Sequence, residues 1–233
     1  VQLTWMDAKM GDWVVTPRTG KPVEIQALWY NALCIMNDLA TRFGDADRQP
    51  RYFEMAEIAQ DSFNGQFWNE SGQYLYDVVN DDMKDASVRP NQIFAVSLPY
   101  TMLDPDRSRL VVEKVEAELL TPFGLRSLSA GDPSYAPIYI GSPLQRDGSY
   151  HQGTVWGWLI GPYIDAYRKV HSADAKSEKR VAEMIAGFES HLTEAMVGQV
   201  AEIFDADPPH AARGAAAQAW SVAELIRVSM NRA

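Results

Sequence analysis

The chain has 233 residues, 46% of them hydrophobic, which is enough for one large domain or two small ones with a sizeable core. Its 31 acidic and 21 basic residues give a formal net charge of -10. That charge argues against binding to a phosphate backbone and suits a neutral ligand such as a sugar. The single cysteine, Cys34, excludes an intrachain disulfide and a thiolate metal cluster.

Further absences narrow the class of protein. The four histidines lack the spacing of metal ligands, so we expect no metal and no cofactor. No apolar run approaches the roughly 18 residues of a membrane span, so we expect no membrane as partner. Because of the negative net charge, we also expect no nucleic acid as partner. The chain begins at Val1 without a methionine, so the lack of a signal peptide carries little weight. We expect a cytoplasmic protein.

Amphipathic periodicity predicts about seven helices and little strand. The helices are expected at about 24–43, 51–67, 90–98, 104–120, 154–170, 174–197 and 215–230. Pro162 is a candidate kink in the fifth helix. Residues 74–79 have the composition of a short strand or extended loop. The stretch 121–153 is long and weakly periodic, which is typical of a functional or disordered segment, and its tyrosines favour order.

The stretch 3–13 sets a carboxylate, Asp7, between Trp5 and Trp13. Tryptophan can serve as a platform for a sugar because the apolar C–H face of a pyranose stacks on an aromatic plane. Desolvation by such a surface favours the protonated form of a carboxyl group, which is the form that a general acid needs. The alternative is two core tryptophans and a helix-capping aspartate, and it is the commoner arrangement for these residues alone.

Two later loops also combine aromatic and polar side chains. One is residues 145–156, and the other is residues 201–210, followed by the segment 218–221. Each loop joins predicted helices, and loops at one end of a helical bundle can converge. The three loops are therefore candidates for a common site.

Four short motifs occur within or between these loops, in a fixed order. They are Thr4-Trp5-Met6-Asp7-Ala8, Arg89-Pro90-Asn91-Gln92, Tyr150-His151-Gln152-Gly153-Thr154-Val155-Trp156 and Gln218-Ala219-Trp220-Ser221. Together they resemble the amylo-alpha-1,6-glucosidase domain at the C-terminal end of glycogen debranching enzymes. Each motif is weak alone, and their order, with Glu202 between the last two, makes the resemblance specific. It covers essentially the whole chain, 1–233.

The resemblance implies an all-α fold, a toroid of six helical hairpins, and an inverting glycosidase. Such a mechanism needs one protonated carboxyl group for the leaving oxygen and one carboxylate to activate water, about 6.5–9.5 Å apart. Asp7 matches the general acid, and Glu202 is our match for the general base. The rivals are Asp12 for the acid, and Asp205 and Asp207 for the base.

The remaining aromatic and polar residues of the motifs and loops are candidates for contacts with the sugar. They are Trp5, Arg89, Asn91, Gln92, Asp147, Tyr150, His151, Trp156, Gln218 and Trp220. Structural roles stay open beside these: capping or salt bridging for residues 89–92, and core packing for His151 and the tryptophans. Gln218, among alanines and a tryptophan, needs a hydrogen-bond partner from backbone or sugar.

The chain departs from the family in its helix count. A complete toroid has about twelve helices, and the missing ones are those that precede Asp7. We therefore expect a partial toroid whose end helices expose Ile25, Leu28 and Trp29 at one side, and Trp220 and Val222 at the other. Self-association or a missing N-terminal region is expected to cover these faces, and the fragment alone is expected to have negligible activity.

The sequence thus predicts a glycosidase that removes α-1,6-linked glucose stubs from an α-glucan such as glycogen or limit dextrin. Two alternatives remain open. One is another inverting helical-toroid glycosidase, glucoamylase-like or trehalase-like. The other is a carbohydrate-binding fragment without turnover. Linkage preference, chain-length preference and oligomeric state are not determined by the sequence.

Overall fold

The computed structural model describes residues 3–81, 83–172 and 174–230. Within these residues, helices dominate and small antiparallel sheets connect them. The helices are α1 (Val23–Phe43), α2 (Gln49–Phe67), α3 (Phe94–Ser97), α4 (Pro105–Leu119), α5 (Pro143–Ser149), α6 (Ile160–Val170), α7 (Ala175–Ala186) and α8 (Ala219–Met230). Short 3-10 turns cover Pro90–Ile93, Gly157–Leu159 and His191–Thr193.

The strands have two or three residues each and correct the expectation of an all-α fold. They are β1 (Lys9–Met10), β2 (Trp13–Val14), β3 (Lys21–Pro22), β4 (Trp68–Asn69), β5 (Tyr74–Leu75), β6 (Val78–Val79), β7 (Lys84–Asp85), β8 (Leu120–Thr121), β9 (Gly124–Arg126), β10 (Val155–Trp156), β11 (Ile203–Phe204) and β12 (Ala212–Arg213). The five-stranded sheet has the order β12-β11-β10-β9-β8. The others are β1-β2, β3-β6-β7 and β4-β5. Helix-connecting segments pair here because their backbone groups need partners once they are buried.

Several helix ends lie where the sequence predicts them. Helix α1 ends at Gly44, which has φ 70° and so adopts the left-handed conformation that glycine allows. Helix α4 begins after Asp104, whose carboxylate accepts a hydrogen bond from the Arg107 backbone N–H at 2.9 Å. Helix α7 begins after Asp174, which caps two backbone N–H groups in the same way.

The predicted fifth helix begins six residues later than its periodicity indicates. Residues 155–156 form β10, which pairs with both β9 and β11 and is therefore held in an extended conformation. Helix α6 starts only at Ile160. Pro162 consequently lies in its first turn, where no backbone N–H is required, and the kink expected there has no basis.

The last helix also begins later than predicted, at Ala219 rather than 215. The backbone N–H groups before it are engaged elsewhere. That of Ala215 donates to the Glu202 carboxylate at 3.0 Å, and that of Gln218 to the Val200 carbonyl at 2.9 Å. These two bonds fold residues 215–218 back against the segment that contains Glu202.

Two further differences concern helix length and number. Helix α7 ends at Ala186 instead of 197, and the 3-10 turn at residues 191–193 follows it. The short helix α5 lies within 121–153, where no regular structure was predicted. It is started by a reciprocal capping box between Ser142 and Gln145. Seven residues are too few for a clear helical period.

Helix α6 lies in the middle of the core and packs against α3, α4 and α8. Its side chains Tyr163 and Ile164 are completely buried. This matches the expectation from its apolar character on all sides. The connected core extends from Val23 at the start of α1 to Val228 in α8.

One side of α1 faces solvent although it is apolar. Ile25, Leu28 and Trp29 are 39%, 45% and 49% exposed, as expected from the sequence. Near the other end of the chain Trp220 is exposed, whereas Val222 is half-buried. Large apolar side chains clustered on one helix face are typical of a surface that is covered by other protein.

Candidate active site

The opening segment leads through Asp7 into a tight hairpin. Strands β1 and β2 pair Lys9 with Val14, and the Val15 backbone N–H donates to the Ala8 carbonyl at 3.2 Å. The side chain of Asp7, one residue before Ala8, is exposed. Its carboxylate has no hydrogen bond with any residue that the structure describes, so both oxygens are open to solvent or ligand.

Glu202 is a half-buried carboxylate held by three donors. Its Oε1 accepts from the Tyr150 hydroxyl at 2.6 Å and from Gln218 Nε2 at 3.3 Å. Its Oε2 accepts from the Ala215 backbone N–H at 3.0 Å. Glu202 directly precedes β11, whose pairing with β10 fixes it relative to the motif 150–156. Fixed donors hold this carboxylate in one orientation, as proton transfer requires. We call the surface around Asp7, Trp5 and Glu202 the proposed cleft, or simply the cleft.

Tyr150 joins the third loop to the motif 150–156. Its pKa is raised above the usual value by burial first, then by the hydrogen bond to Glu202 and the negative charge of Glu202. The hydroxyl therefore keeps its proton and donates it to Glu202 in a hydrogen bond. The opening loop reaches the same motif through Trp5, whose ring contacts those of His151 and Trp156.

The rival carboxylates have different surroundings. Asp205 is buried, accepts two hydrogen bonds from the Arg213 guanidinium at 2.7 and 3.0 Å, and accepts one from the Tyr139 backbone N–H. Asp207 is exposed and accepts from the Tyr135 hydroxyl at 3.0 Å. Asp12 is exposed in the turn of the hairpin. Of the carboxylates in the third loop, only Glu202 bonds to a side chain of the motif 150–156.

Four aromatic rings form one packed cluster beside Glu202. Trp5 meets His151, Trp156 and Trp158 edge to face, with ring centroids 5.1–5.4 Å apart. His151 stacks on Trp156 at 5.2 Å. Tyr150 extends the cluster by contacts with His151 and Trp156. Trp156 is buried and Trp5 is half-buried, so of these two it is Trp5 that presents surface to solvent.

His151 is completely buried, and neither ring nitrogen has a hydrogen-bond partner among the described residues. Burial, together with the positive charges of Arg89 and Arg18, lowers its pKa to about 3. The imidazole is therefore neutral at ordinary pH and is a packing element of the cluster. Its direct contact with a sugar stays a prediction.

The motif 89–92 lies beneath the cleft rather than on its surface. Arg89, Asn91 and Gln92 are 6%, 0% and 2% exposed. Arg89 donates to the backbone carbonyls of Ser127 and His151 at 3.1 and 2.7 Å. Gln92 bonds to backbone groups of β5 and of the motif itself. These contacts favour the structural alternative that the sequence left open for the three side chains.

Asn91 links the opening loop to a buried group of charges. Its Oδ1 accepts from Trp5 Nε1 at 2.7 Å, and its Nδ2 donates to Asp77 at 2.7 Å. Asp77 accepts two hydrogen bonds from Arg18, which also donates to Glu24. We call Arg18, Glu24, Asp77, Arg89 and Asn91 the buried polar network. Burial lowers the pKa of Arg18, but the charges and hydrogen bonds of Asp77 and Glu24 outweigh it and raise that pKa overall.

The other predicted residues lie at the margin of the cleft. Gln218 contacts Glu202 directly. Trp220 is 47% exposed and meets Trp158 edge to face at 5.4 Å. Asp147 is half-buried near the end of α5, and its contact with a sugar stays a prediction.

Some residues of the site were not singled out from the sequence. Tyr139 packs on Tyr150 at 5.5 Å, and Trp158 joins the aromatic cluster. Asp77 and Arg18 lie far from the motifs in sequence and join them only through the fold. Trp158, two residues after Trp156, could have been found as an extension of its motif; the others carry no local signal.

Two absences apply to the part of the chain that the structure describes. It contains no group of three or more His, Cys, Asp or Glu side chains that could hold a metal ion. None of its helices is both long enough and apolar enough to cross a membrane.

The chain is similar to one known protein in sequence and to others in fold. The chain is 24% identical to the glycogen debranching enzyme of Saccharomyces cerevisiae over 96% of its own length, and it spans only 18% of that protein. It shares its fold with a GH63 mannosylglycerate hydrolase of Thermus thermophilus, with TM-score 0.64 and 14% identity over 89% of this chain and 45% of the hydrolase. A further fold relative is the neutral trehalase of Saccharomyces cerevisiae, with TM-score 0.63 and 17% identity over 90% of this chain and 37% of the trehalase.

The family match extends over nearly the whole sequence. The profile described as amylo-alpha-1,6-glucosidase matches residues 1–227, a range that includes the opening loop, Glu202 and the four motifs. The chain belongs to the amylo-alpha-1,6-glucosidase family.

Proposed function

We propose that this chain carries the catalytic site of an inverting glycosidase that removes single α-1,6-linked glucose residues from a glycogen-like α-glucan. The observation that carries the proposal is that the motif 150–156 contacts both other loops: Tyr150 is hydrogen-bonded to Glu202, and His151 and Trp156 pack on Trp5, two residues before Asp7. The proposal therefore assigns two carboxylates of different exposure, Asp7 and Glu202, to one aromatic cluster. An inverting acid and base are required to lie about 6.5–9.5 Å apart on opposite sides of a sugar.

Asp7 acts as the general acid in this scheme. Its exposed carboxyl group donates a proton to the glycosidic oxygen, and the C–O bond to the glucose breaks as the glucan chain leaves. Glu202 acts as the general base and takes a proton from a water that attacks the anomeric carbon from the other face. Inversion converts the α-linked residue into β-glucose. Tyr150 is a positioning residue that holds the Glu202 carboxylate.

The side chains around these carboxylates supply the sugar site. Trp5 and Trp220 offer exposed aromatic surface on which glucose can stack, and Trp156 supports Trp5 from below. Gln218 and Asp147 are the polar groups nearest the cleft margin and are assigned to sugar hydroxyls. The buried polar network holds the opening loop through the bond between Asn91 and Trp5.

The choice of substrate rests on the yeast relative and on the family, both of which concern glycogen debranching. The architecture proposed for the chain is part of a helical toroid, as in the hydrolases whose fold it shares. The exposed apolar face of α1 is then where further helices, or a second copy of the chain, would pack. Light scattering of the purified chain tests for a second copy directly.

Stereochemistry is the sharpest test of the reaction. Maltotetraose bearing one α-1,6-linked glucose is incubated with the chain completed by the upstream helices that the partial toroid is expected to lack, and the first anomer released is followed by proton NMR. We expect β-glucose to appear first and α-glucose only later, by mutarotation. Initial release of α-glucose would contradict the inverting mechanism. Binding of the substrate without release of any glucose would favour a non-catalytic carbohydrate-binding role.

A further inference from the structure

Residues 214–218, which follow β12, fold around the side chain of Glu202. The Glu202 backbone N–H donates to the Ala215 carbonyl at 2.9 Å, and the Ala215 backbone N–H donates back to Glu202 Oε2 at 3.0 Å. The Gln218 side chain donates to Oε1 at 3.3 Å. Both the backbone and the carboxylate of Glu202 are therefore held by this segment.

Gly214 is the point of closest approach between the segment and the carboxylate. It has φ 66°, in the left-handed region that glycine allows. A Cβ atom placed on Gly214 would lie 2.3 Å from Glu202 Oε2, 3.1 Å from its Cβ and 3.2 Å from its Cδ. These distances are shorter than the roughly 3.5 Å of a van der Waals contact, so any larger residue at 214 would displace the carboxylate.

The atom that would give way at Gly214 is the end of a flexible side chain. Gly124 in β9 shows the opposite case, because a Cβ atom there would lie 2.3 Å from the backbone carbonyl oxygen of Trp156 in β10. A side chain at 124 would thus disturb the pairing of two strands. A methyl group at 214 can be accommodated by rotation of the Glu202 side chain alone, and the fold is kept.

We propose that Gly214 is a positioning residue for the general base, because its missing side chain leaves the space that Glu202 Oε2 occupies. The inference rests on the proposed function, in which Glu202 takes a proton from the attacking water. Displacement of a reacting group by about 1 Å can cost as much as a hundredfold in rate. A glycine at 214 is therefore required for the reaction more than for the stability of the fold.

The hydrogen bonds of the carboxylate indicate which oxygen acts as the base. Oε1 already accepts from Tyr150 and Gln218, whereas among the described residues only Ala215 donates to Oε2. Oε2 therefore keeps a lone pair for the water. The water O–H bond breaks, its proton passes to Oε2, and the water oxygen bonds to the anomeric carbon as the bond to the glucan chain breaks.

Steady-state kinetics of the chain completed by the upstream helices test the role of Gly214. Gly214→Ala should lower kcat by about tenfold to a hundredfold with KM nearly unchanged, and on both a branched glucan and α-glucosyl fluoride, since both need the base. The matched control is Gly198→Ala. Gly198 has φ 72°, so alanine meets the same backbone strain there, but its Cβ would have no atom within 4 Å. Gly198→Ala should keep kcat, and thermal unfolding should be similar in the two variants.

A double variant tests whether Gly214 acts through Glu202. In the background of Glu202→Gln the base is already lost, so adding Gly214→Ala should lower the residual kcat little further. A further loss as large as in the unmodified background would overturn the inference, because Gly214 would then act independently of the base. Equal losses of kcat in Gly214→Ala and Gly198→Ala would overturn it as well.

A second measurement needs no hydrolysis and uses the 233-residue chain itself. Labelling tyrosine with ¹³C at Cζ makes the Tyr150 resonance, assigned by its loss in Tyr150→Phe, a probe of the hydroxyl that donates to Glu202. Gly214→Ala should move this resonance and Gly198→Ala should not. An unmoved resonance in Gly214→Ala would overturn the inference. A moved resonance, with no hydrolysis by the unmodified completed chain, would support the placement of the carboxylate by Gly214 and contradict the proposed reaction.

Discussion

The buried polar network and the cleft above it both contain carboxylates, yet they differ in how those carboxylates are satisfied. In the network, Asp77 and Glu24 are nearly inaccessible and share the guanidinium of Arg18. In the cleft, Asp7 is exposed, and Glu202 is held by neutral donors with no cation bonded to it. A buried carboxylate paired with arginine is tied to its partner, because removing either one leaves an uncompensated buried charge. A carboxylate with open or neutral surroundings is available for proton transfer.

Two side chains join the two regions: Asn91 contacts Asp77 and Trp5, and Arg89 donates to the His151 carbonyl. The motif 89–92 thus belongs to the buried polar network, and the motifs that contain Asp7 and Tyr150 belong to the cleft. We expect substitutions in the cleft to change activity with little effect on stability. Substitutions in the network should do the reverse.

The largest effect is expected from the two proposed catalytic carboxylates. In the chain completed by the upstream helices, Asp7→Asn and Glu202→Gln should each lower kcat on a branched glucan by about 10²–10⁴, the usual contribution of a general acid or base. On α-glucosyl fluoride, which needs little protonation, Asp7→Asn should be partly spared, whereas Glu202→Gln should not. Steady-state kinetics on both substrates, with thermal unfolding as a check, measure this.

Asp207→Asn is the control for Glu202, since it removes a nearby exposed carboxylate of the same loop. It should retain most of the activity. If Asp205→Asn reproduced the base phenotype while Glu202→Gln stayed active, the assignment of the base would be wrong. If Asp7→Asn or Glu202→Gln also lowered the melting temperature strongly, the loss of kcat could be due to unfolding, and the distinction between cleft and network would not hold.

The network should respond through stability instead. Asp77→Asn leaves Arg18 and Arg89 without their shared carboxylate, and breaking a buried ion pair costs about 3–5 kcal/mol in the free energy of unfolding. Asp45→Asn is the matched control, because its ion pair with Arg48 is on the surface, and it should cost less than about 1 kcal/mol. Urea denaturation measures both. Equal costs would show that Asp77 is not a structural charge.

Much of the fold could be predicted from the sequence because helix signals are local. Gly44 and Asp104 end and begin helices as their chemistry requires. The strand β10 could not be predicted, because its conformation is set by pairing with β9 and β11, which are distant in sequence. The start of α8 is likewise set by the bonds of residues 215–218 to the Glu202 segment.

In the candidate site too, some features could be predicted from the sequence and others depend on tertiary contacts. Convergence of the three loops was expected because each joins predicted helices, and the contacts of Trp5 with His151 and Trp156 and of Tyr150 with Glu202 agree with it. The depth of a residue below the cleft was not predictable. Arg89 and Asn91 are polar, and only the tertiary structure shows that their side chains form hydrogen bonds with buried groups of the protein.

His151, which lies between the two regions, should make the free energy of unfolding depend on pH. Its pKa is lowered to about 3 in the folded protein, whereas an unfolded histidine titrates near 6.5. Between these values the unfolded chain binds a proton that the folded chain does not, so the free energy of unfolding falls as pH falls, by up to about 1.4 kcal/mol per unit. His151→Phe keeps the stacked ring and should remove this slope. His171→Asn, at a half-exposed site, should keep it, and urea denaturation between pH 4.5 and 7 measures the difference.

The smallest effect is expected for Tyr150→Phe, which removes one donor to Glu202 and leaves the aromatic cluster intact. Ala215 and Gln218 still hold the carboxylate, so the loss should be near the net value of one hydrogen bond, about 1 kcal/mol or roughly fivefold in kcat. Tyr139→Phe removes a hydroxyl from the neighbouring ring and is the control. Because burial and the bond to Glu202 raise the pKa of Tyr150, its hydroxyl stays protonated under mildly alkaline conditions, and the alkaline limb of the pH–rate profile should be the same in Tyr150→Phe and the unmodified enzyme. A loss of a hundredfold or more in kcat would instead make Tyr150 a participant in proton transfer, and a shifted alkaline limb would identify its ionisation as the cause.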